Sequence, residues 1–162
     1  NLLGPHTNPC NAKRQILGVY DKGLLKTFGN VSNLLKMHHV LVVHGNDGLD
    51  EISITDKTFV NELKDGNLNQ FEIQPEDFGL SRANITALKA DTPEESLELI
   101  NAAFEGKESP VQDMISLNAG ASLYLSSASN SIKEGVSLAK ELLNNGKAKQ
   151  TFSSYIEMTN SL

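Results

Sequence analysis

Between positions 44 and 51 the chain reads His44-Gly45-Asn46-Asp47-Gly48-Leu49-Asp50-Glu51, directly after the apolar run Val40-Leu41-Val42-Val43. Three carboxylates and two glycines thus follow what reads as a buried strand, where open α/β sheets place their ligand chemistry. Carboxylate oxygens gathered there suit a hard cation such as Mg2+, which takes oxygen ligands and shares them with a phosphate-bearing substrate. The glycines permit close backbone approach to a ligand, and no lysine adjoins the acids to offset them. Asp50 and Glu51 are neighbours, so on a regular strand they point to opposite faces. They can serve one cation only if the backbone leaves strand geometry, which Gly48 allows. The plain alternative is a turn, the usual product of clustered Asp and Gly.

The elements that must position this loop are legible around it. Ile16-Leu17-Gly18-Val19-Tyr20 is a short apolar run ended by Asp21-Lys22-Gly23 and predicts a buried strand. From Leu24 to Met37 the apolar residues Leu24, Leu25, Phe28, Val31, Leu34 and Leu35 recur at spacings of three and four, one face of an amphipathic helix. Val40 to Val43 gives the next strand. Strand, helix and strand over about thirty residues match a right-handed βαβ crossover with parallel strands. Beyond the acidic loop, Glu51-Ile52-Ser53-Ile54 alternates, as do Thr58 to Leu63 and Leu68 to Ile73, the last two joined through Asp65-Gly66-Asn67. An Asp-Gly turn between alternating segments predicts a hairpin, an antiparallel excursion on or beside the parallel sheet. Thr92-Pro93-Glu94-Glu95 opens a helix that buries Leu97, Ile100, Ala103 and Phe104 and stops at Gly106. Further helices are predicted from Val111 to Ser126, from Ser131 to Leu143 and, shorter and more polar, from Lys147 to Met158. In the first of these, Ala119-Gly120-Ala121-Ser122 would let another element approach closely. The fold class is therefore α/β, with a mostly parallel sheet, a βαβ crossover, a hairpin excursion and C-terminal helices.

Composition narrows the function classes. A chain of 162 residues makes one domain with a real core, and its formal charge of −6 gives no electrostatic footprint for nucleic acid. No apolar stretch approaches a membrane span and no signal-peptide pattern opens the chain. The single cysteine, Cys10, cannot form an internal disulfide, which fits a reducing, cytoplasmic compartment. The chain opens on Asn1, and Asn1-Leu2-Leu3-Gly4-Pro5 reads as a helix end entering a turn, so the sequence is expected to be a piece of something longer.

Other candidate constellations are weaker. His6, His38, His39, His44 and Cys10 do not have zinc spacing, because His38 and His39 diverge on a strand and Cys10 stands alone. His44 is either a crevice-lining group or a hydrogen-bonded loop histidine. No Gly-x-Ser-x-Gly elbow, P-loop or Gly-x-Gly-x-x-Gly is present, so any glycine-rich phosphate cradle lies outside this chain. Asn8-Pro9 with Lys13-Arg14-Gln15 reads as a solvated helix entry in preference to an anion contact. Asn118, mid-helix among apolar residues, must find hydrogen-bond partners, and a structural bond to a neighbouring loop is expected.

Several stretches together resemble anthranilate phosphoribosyltransferases: Asn1 to Pro9, Lys13 to Tyr20, Val42 to Ile52, Pro75-Glu76-Asp77-Phe78-Gly79-Leu80, and Asp113 with Leu117-Asn118-Ala119. The resemblance implies the nucleoside phosphorylase and phosphoribosyltransferase type of C-terminal domain. It also implies a reaction that moves the phosphoribosyl group of PRPP to anthranilate, giving N-(5-phosphoribosyl)anthranilate and diphosphate in tryptophan biosynthesis. Residues 1–12 would be the connector from a missing N-terminal helical domain, and 13–162 part of the α/β catalytic domain. Asp50 and Glu51 fall on the family's acidic pair, which holds Mg2+ on the diphosphate side of PRPP. The family dimerises through its helical domain, so a homodimer is implied for the full-length enzyme. The family's Gly-Thr-Gly-Gly-Asp loop, its Lys-His-Gly-Asn segment and an anthranilate-holding arginine all lie upstream of Asn1, so the isolated chain is expected to be inactive and to lose the dimer contact. His6 departs from the family's usual leucine. A pyrimidine nucleoside phosphorylase would share the fold without so full a His-Gly-x-Asp-Gly-Leu-Asp-Glu run. A non-catalytic nucleic-acid-binding relative is disfavoured by the acidic balance.

Overall fold

A computed structural model describes residues 4–161. The reading of Asn1 to Leu3 as a helix end lies outside the described residues. Four strands and five α-helices follow a short 3-10 turn at Gly4–Thr7: β1 Arg14–Gly18, α1 Leu24–Leu34, β2 His39–Gly45, β3 Thr58–Lys64, β4 Asn67–Ile73, α2 Pro93–Phe104, α3 Pro110–Leu125, α4 Ile132–Asn144 and α5 Lys147–Asn160. Two further 3-10 turns, Pro75–Phe78 and Ile85–Leu88, link the sheet to the helices.

The sheet runs in the order β1-β2-β3-β4 and is mixed. β1 and β2 are parallel, with Ile16 opposite Leu41, and α1 is their crossover. The hairpin joins the sheet itself: β3 runs antiparallel to β2, and β4 antiparallel to β3. Asp65 at φ 48 and Gly66 at φ 82 form its two-residue turn, the backbone pair that matches the twist of adjoining strands. Among the described residues the parallel part of the sheet is therefore the β1–β2 pair.

Val40, Leu41, Val42 and Val43 in β2 have no exposed surface, as expected for a strand covered on both faces. On one face Leu17, Val40, Val42, Phe59 and Leu63 pack with Leu25 of α1. On the other, Leu41, Val43 and Val60 meet Leu117, Ala121 and Leu125 of α3 and Val136 of α4. Thr92, Ser109 and Ser131 cap α2, α3 and α4 by accepting hydrogen bonds from the N–H groups of Glu95, Gln112 and Glu134.

Several local expectations are corrected. α1 stops at Leu34, because Lys36 adopts φ 52 while its N–H reaches Asn33 O and that of Met37 reaches Ser32 O. This left-handed C-cap leaves Leu34 and Leu35 exposed. α2 turns Ser96, Leu99, Ile100 and Ala103 inward, a spacing of three, one and three that rotates Leu97 to solvent. Lys13-Arg14-Gln15 leads into β1, not a helix, and the Arg14 guanidinium donates to Leu125 O and Ser127 Oγ at the end of α3. α5 runs to Asn160 with no buried residue.

The segment 51–54 is not a strand. Ile52, Ser53 and Ile54 are all buried, and side chains take the place of a ladder for the first two while the Ala83 N–H donates to Ile54 O. Thr58 Oγ1 accepts from Ser53 N–H at 2.9 Å, and Asn118 grips Ile52.

Candidate functional site

The parallel strands β1 and β2 end side by side, and the loop from Gly45 to Lys57 closes over their carboxyl edge. His44 Nδ1 donates to Val19 O at 2.8 Å, tying the two strand ends together. Its ring stacks near Phe59, with centroids 6.5 Å apart. Of the two readings open for His44 the hydrogen-bonded one holds, although the residue stands at the end of β2 and not in the loop.

Beyond Gly45 the chain turns tightly: Gly45 N–H donates to Leu49 O and Gly48 N–H to Gly45 O. Gly48 supplies φ 93, a conformation that costs an L side chain energy and glycine none. Gly45 leaves the space for Asp47, since a Cβ there would stand 2.4 Å from Asp47 Oδ1. The Asp47 carboxylate fastens the turn, accepting from Leu49 N–H at 3.1 Å, from Ser53 Oγ at 2.5 Å and from Thr55 Oγ1. Asn46 donates to Asp56, and Asp56 pairs with Arg82, which also reaches Glu76 and Gln74.

These bonds divide the three acids of the motif. Asp47 is occupied in holding the loop, and it does not join its neighbours as a free carboxylate. Asp50 and Glu51 are exposed, and neither carboxylate has a hydrogen-bond or ion-pair partner among the described residues. The backbone at 50–51 is a bend, so the departure from strand geometry that a shared cation requires is present. Glu51 also borders a mainly apolar cavity of about 450 Å³ between α2 and α3, lined by Leu49, Leu88, Ile100 and Met114 among others.

No group of three or more His, Cys, Asp or Glu residues among those described is arranged to hold a metal ion. A two-carboxylate donor set still suits Mg2+, which commonly takes one or two carboxylates and completes its shell with water and substrate phosphate. The histidines are engaged separately: His6 with Ser32, and His39 with Glu62 at 2.7 Å, where Tyr124 OH also donates to Glu62.

Two residues that shape the site carry weak signals in the sequence. Gly18 at the end of β1 lies against the Asp50 main chain, where a Cβ would come within 1.6 Å of Asp50 O. An isolated glycine inside an apolar strand run is the sign of such an approach. Arg82, the hub of the Asp56, Glu76 and Gln74 contacts, has no motif around it that would single it out.

Burial opposes ionisation of Asp47, but the hydrogen bonds from Ser53, Thr55 and Leu49 N–H outweigh it and hold the carboxyl below its ordinary range. The folded loop therefore favours the ionised form. Its contribution to stability is complete above the unfolded carboxylate range of about 4 and is lost as pH falls through the lower folded value. We expect the protection of the Leu49 amide, taken relative to the intrinsic exchange rate at each pH, to fall on acidification below that range, whereas an Asp47→Asn chain should show weaker protection already at neutral pH with a flatter acid response. Identical pH profiles for the two chains would contradict this role for Asp47.

A glycosyl transferase family model, described as the a/b domain, matches residues 1–149, and the chain belongs to that family. Its relatives are anthranilate phosphoribosyltransferases: that of Methanobrevibacter smithii is 44% identical over 161 residues, covering 99% of this chain and 48% of the relative. The crystal structure of the Thermus thermophilus enzyme superposes with a TM-score of 0.87 at 36% identity, covering 96% of this chain and 46% of that one. The Saccharomyces cerevisiae enzyme, solved in complex with PRPP and Mg, gives a TM-score of 0.82 at 29% identity over 92% of this chain and 43% of its own. The chain thus spans about half the length of the curated relatives it matches.

Proposed function

We propose that this chain is the C-terminal α/β portion of an anthranilate phosphoribosyltransferase, which transfers the phosphoribosyl group of PRPP to the amino group of anthranilate and releases diphosphate. The observation that carries this reading is the pair Asp50 and Glu51, unpaired and exposed on a bend at the carboxyl edge of the parallel strands. In that transfer, positive charge builds at C1 of the ribose and negative charge on the departing diphosphate. Mg2+ bound there supplies Lewis-acid neutralisation and a template for the leaving group. Asp50 and Glu51 hold the cation, while Asp47, through Ser53, Thr55 and the Leu49 N–H, keeps the loop shaped beneath them. No lysine or arginine among the described residues pairs with these two carboxylates and competes with a cation for them.

The same reading places the glycine-rich diphosphate cradle and the anthranilate contacts in the half of the enzyme that lies upstream of Asn1. The 162-residue chain alone therefore turns over neither substrate, and the homodimer of the full-length enzyme forms through its helical domain. A cytoplasmic location accompanies the biosynthetic role. No helix among the described residues is long and apolar enough to cross a membrane.

A full-length enzyme carrying this sequence is expected to convert PRPP and anthranilate to N-(5-phosphoribosyl)anthranilate and diphosphate in equal amounts. Chelation of divalent metal should stop the reaction, and added Mg2+ should restore it. Failure to phosphoribosylate anthranilate, with phosphorolysis of a pyrimidine nucleoside in its place, would overturn the proposal.

A further inference from the structure

Asp50 and Glu51 sit between two anchored stretches, and the nature of the downstream anchor assigns a task to a residue outside the acidic motif. Upstream, the turn at 45–49 is fastened by Asp47. Downstream, no sheet ladder holds residue 52. Its main chain is instead read on both sides by one side chain of α3: Asn118 Oδ1 accepts from Ile52 N–H at 3.1 Å, and Asn118 Nδ2 donates to Ile52 O at 2.9 Å. A third bond, from Nδ2 to Met114 O at 3.1 Å, fixes the Asn118 side chain to its own helix. A side-chain amide offers a donor and an acceptor side by side, which is what the N–H and C=O of one extended residue require.

We infer that Asn118 is a positioning residue for the acidic pair: by fixing the Ile52 main chain it sets the direction of the Glu51 and Asp50 carboxylates and so the affinity for the divalent cation. The inference rests on the metal-binding role proposed above. The clamp is separable from packing, because Leu117, Ala121 and Leu125 seat α3 on the sheet whatever stands at 118. Together with the close seat of the Asp50 carbonyl on Gly18, it leaves the two acids little freedom to diverge. A pre-set pair binds a cation more tightly than a loose one, since the ordering of the ligands does not have to accompany binding.

The test uses Asn118→Asp in the full-length enzyme. The substitution keeps size and one acceptor but removes both donations and sets a carboxylate against Ile52 O. The Mg2+ concentration for half-maximal activation should rise about tenfold, the scale of two lost hydrogen bonds, with kcat at saturating Mg2+ within about twofold. Mn2+ binding, followed directly by its paramagnetic signal in the presence of PRPP, should weaken by the same factor, and the Ile52 amide should lose exchange protection. Asn118→Ser carries the same comparison should the aspartate variant not fold. An exposed Ile52 amide with unchanged Mn2+ affinity overturns the inference and leaves the acidic pair as metal ligands. If Asp50→Ala with Glu51→Ala also leaves Mn2+ binding unchanged, the metal-site reading itself falls.

Discussion

In a full-length enzyme, replacing both Asp50 and Glu51 by alanine is expected to lower turnover at limiting Mg2+ at least about a hundredfold. A bound metal contributes several kcal/mol to a transition state in which charge moves onto a leaving group, and each ~1.36 kcal/mol is a factor of ten. The fold should tolerate the change. Both side chains are exposed and neither has a partner among the described residues, so stability should move by no more than about 0.5 kcal/mol. Removing two adjacent like charges works in the same harmless direction. The paired isosteres Asp50→Asn and Glu51→Gln separate charge from shape: they keep every contact the main chain makes and remove only the negative charge. Loss of turnover at limiting Mg2+ in the isosteres, with melting unchanged, is the expected result. Undiminished activity at limiting magnesium would reject the assignment.

The same pair shows why part of the site is legible in the sequence and part is not. Residue types and their place after an apolar strand are enough to single out the loop, because a parallel strand buried on both faces has a conspicuous composition and its carboxyl end is where ligands gather. The division of labour among three acids is not open to that kind of reading. Asp47 is two residues from the Leu49 N–H it accepts and six from Ser53, so its structural role depends on a turn that composition alone does not fix. Long-range partners are the least visible. Asn118 reads as a structural hydrogen bonder, yet its partner, Ile52, stands 66 residues away. Ile52 itself lies in an alternating segment that reads as a strand. Alternation marks a chain with one face buried, but side chains such as Thr58 and Asn118 can satisfy its backbone in place of a neighbouring strand. The hairpin, in contrast, is fully legible, since the Asp65-Gly66 turn sets its register locally.

The largest effect on stability is expected at Gly135, where α4 crosses α3. A glycine in a helix interior is ordinarily worth replacing, because alanine there gains roughly 1 kcal/mol from a smaller loss of backbone entropy. Here that gain is outweighed. A Cβ at Gly135 would stand 2.1 Å from Gly120 O and 2.9 Å from Ser129 Oγ, and a Cβ at Gly120 would stand 2.4 Å from Val136 N. The closest of these obstacles are main chain, which no rotamer change can move, so the helices must part. Parting them loosens the seat of Leu117, Ala121 and Val136 on the sheet. Forced overpacking costs about 1–3 kcal/mol even where side chains can adjust, and a backbone-on-backbone clash belongs at or above the upper end. Gly135→Ala should therefore lower the melting temperature by roughly 6–12 °C, taking about 2–4 °C per kcal/mol for a chain of this size. Ser137→Ala, on the exposed side of the same helix, should leave it unchanged or slightly raised. The run Ala119-Gly120-Ala121-Ser122 announces this crossing in the sequence, although not which helix takes advantage of it. Because Asn118 lies two residues before Gly120, lifting α4 also disturbs the helix that grips Ile52, and the Gly135→Ala enzyme should need more Mg2+ for half-maximal activation. A variant that melts with the parent protein would mean that α3 and α4 separate without loss, and that their close approach contributes nothing to either the core or the acidic loop.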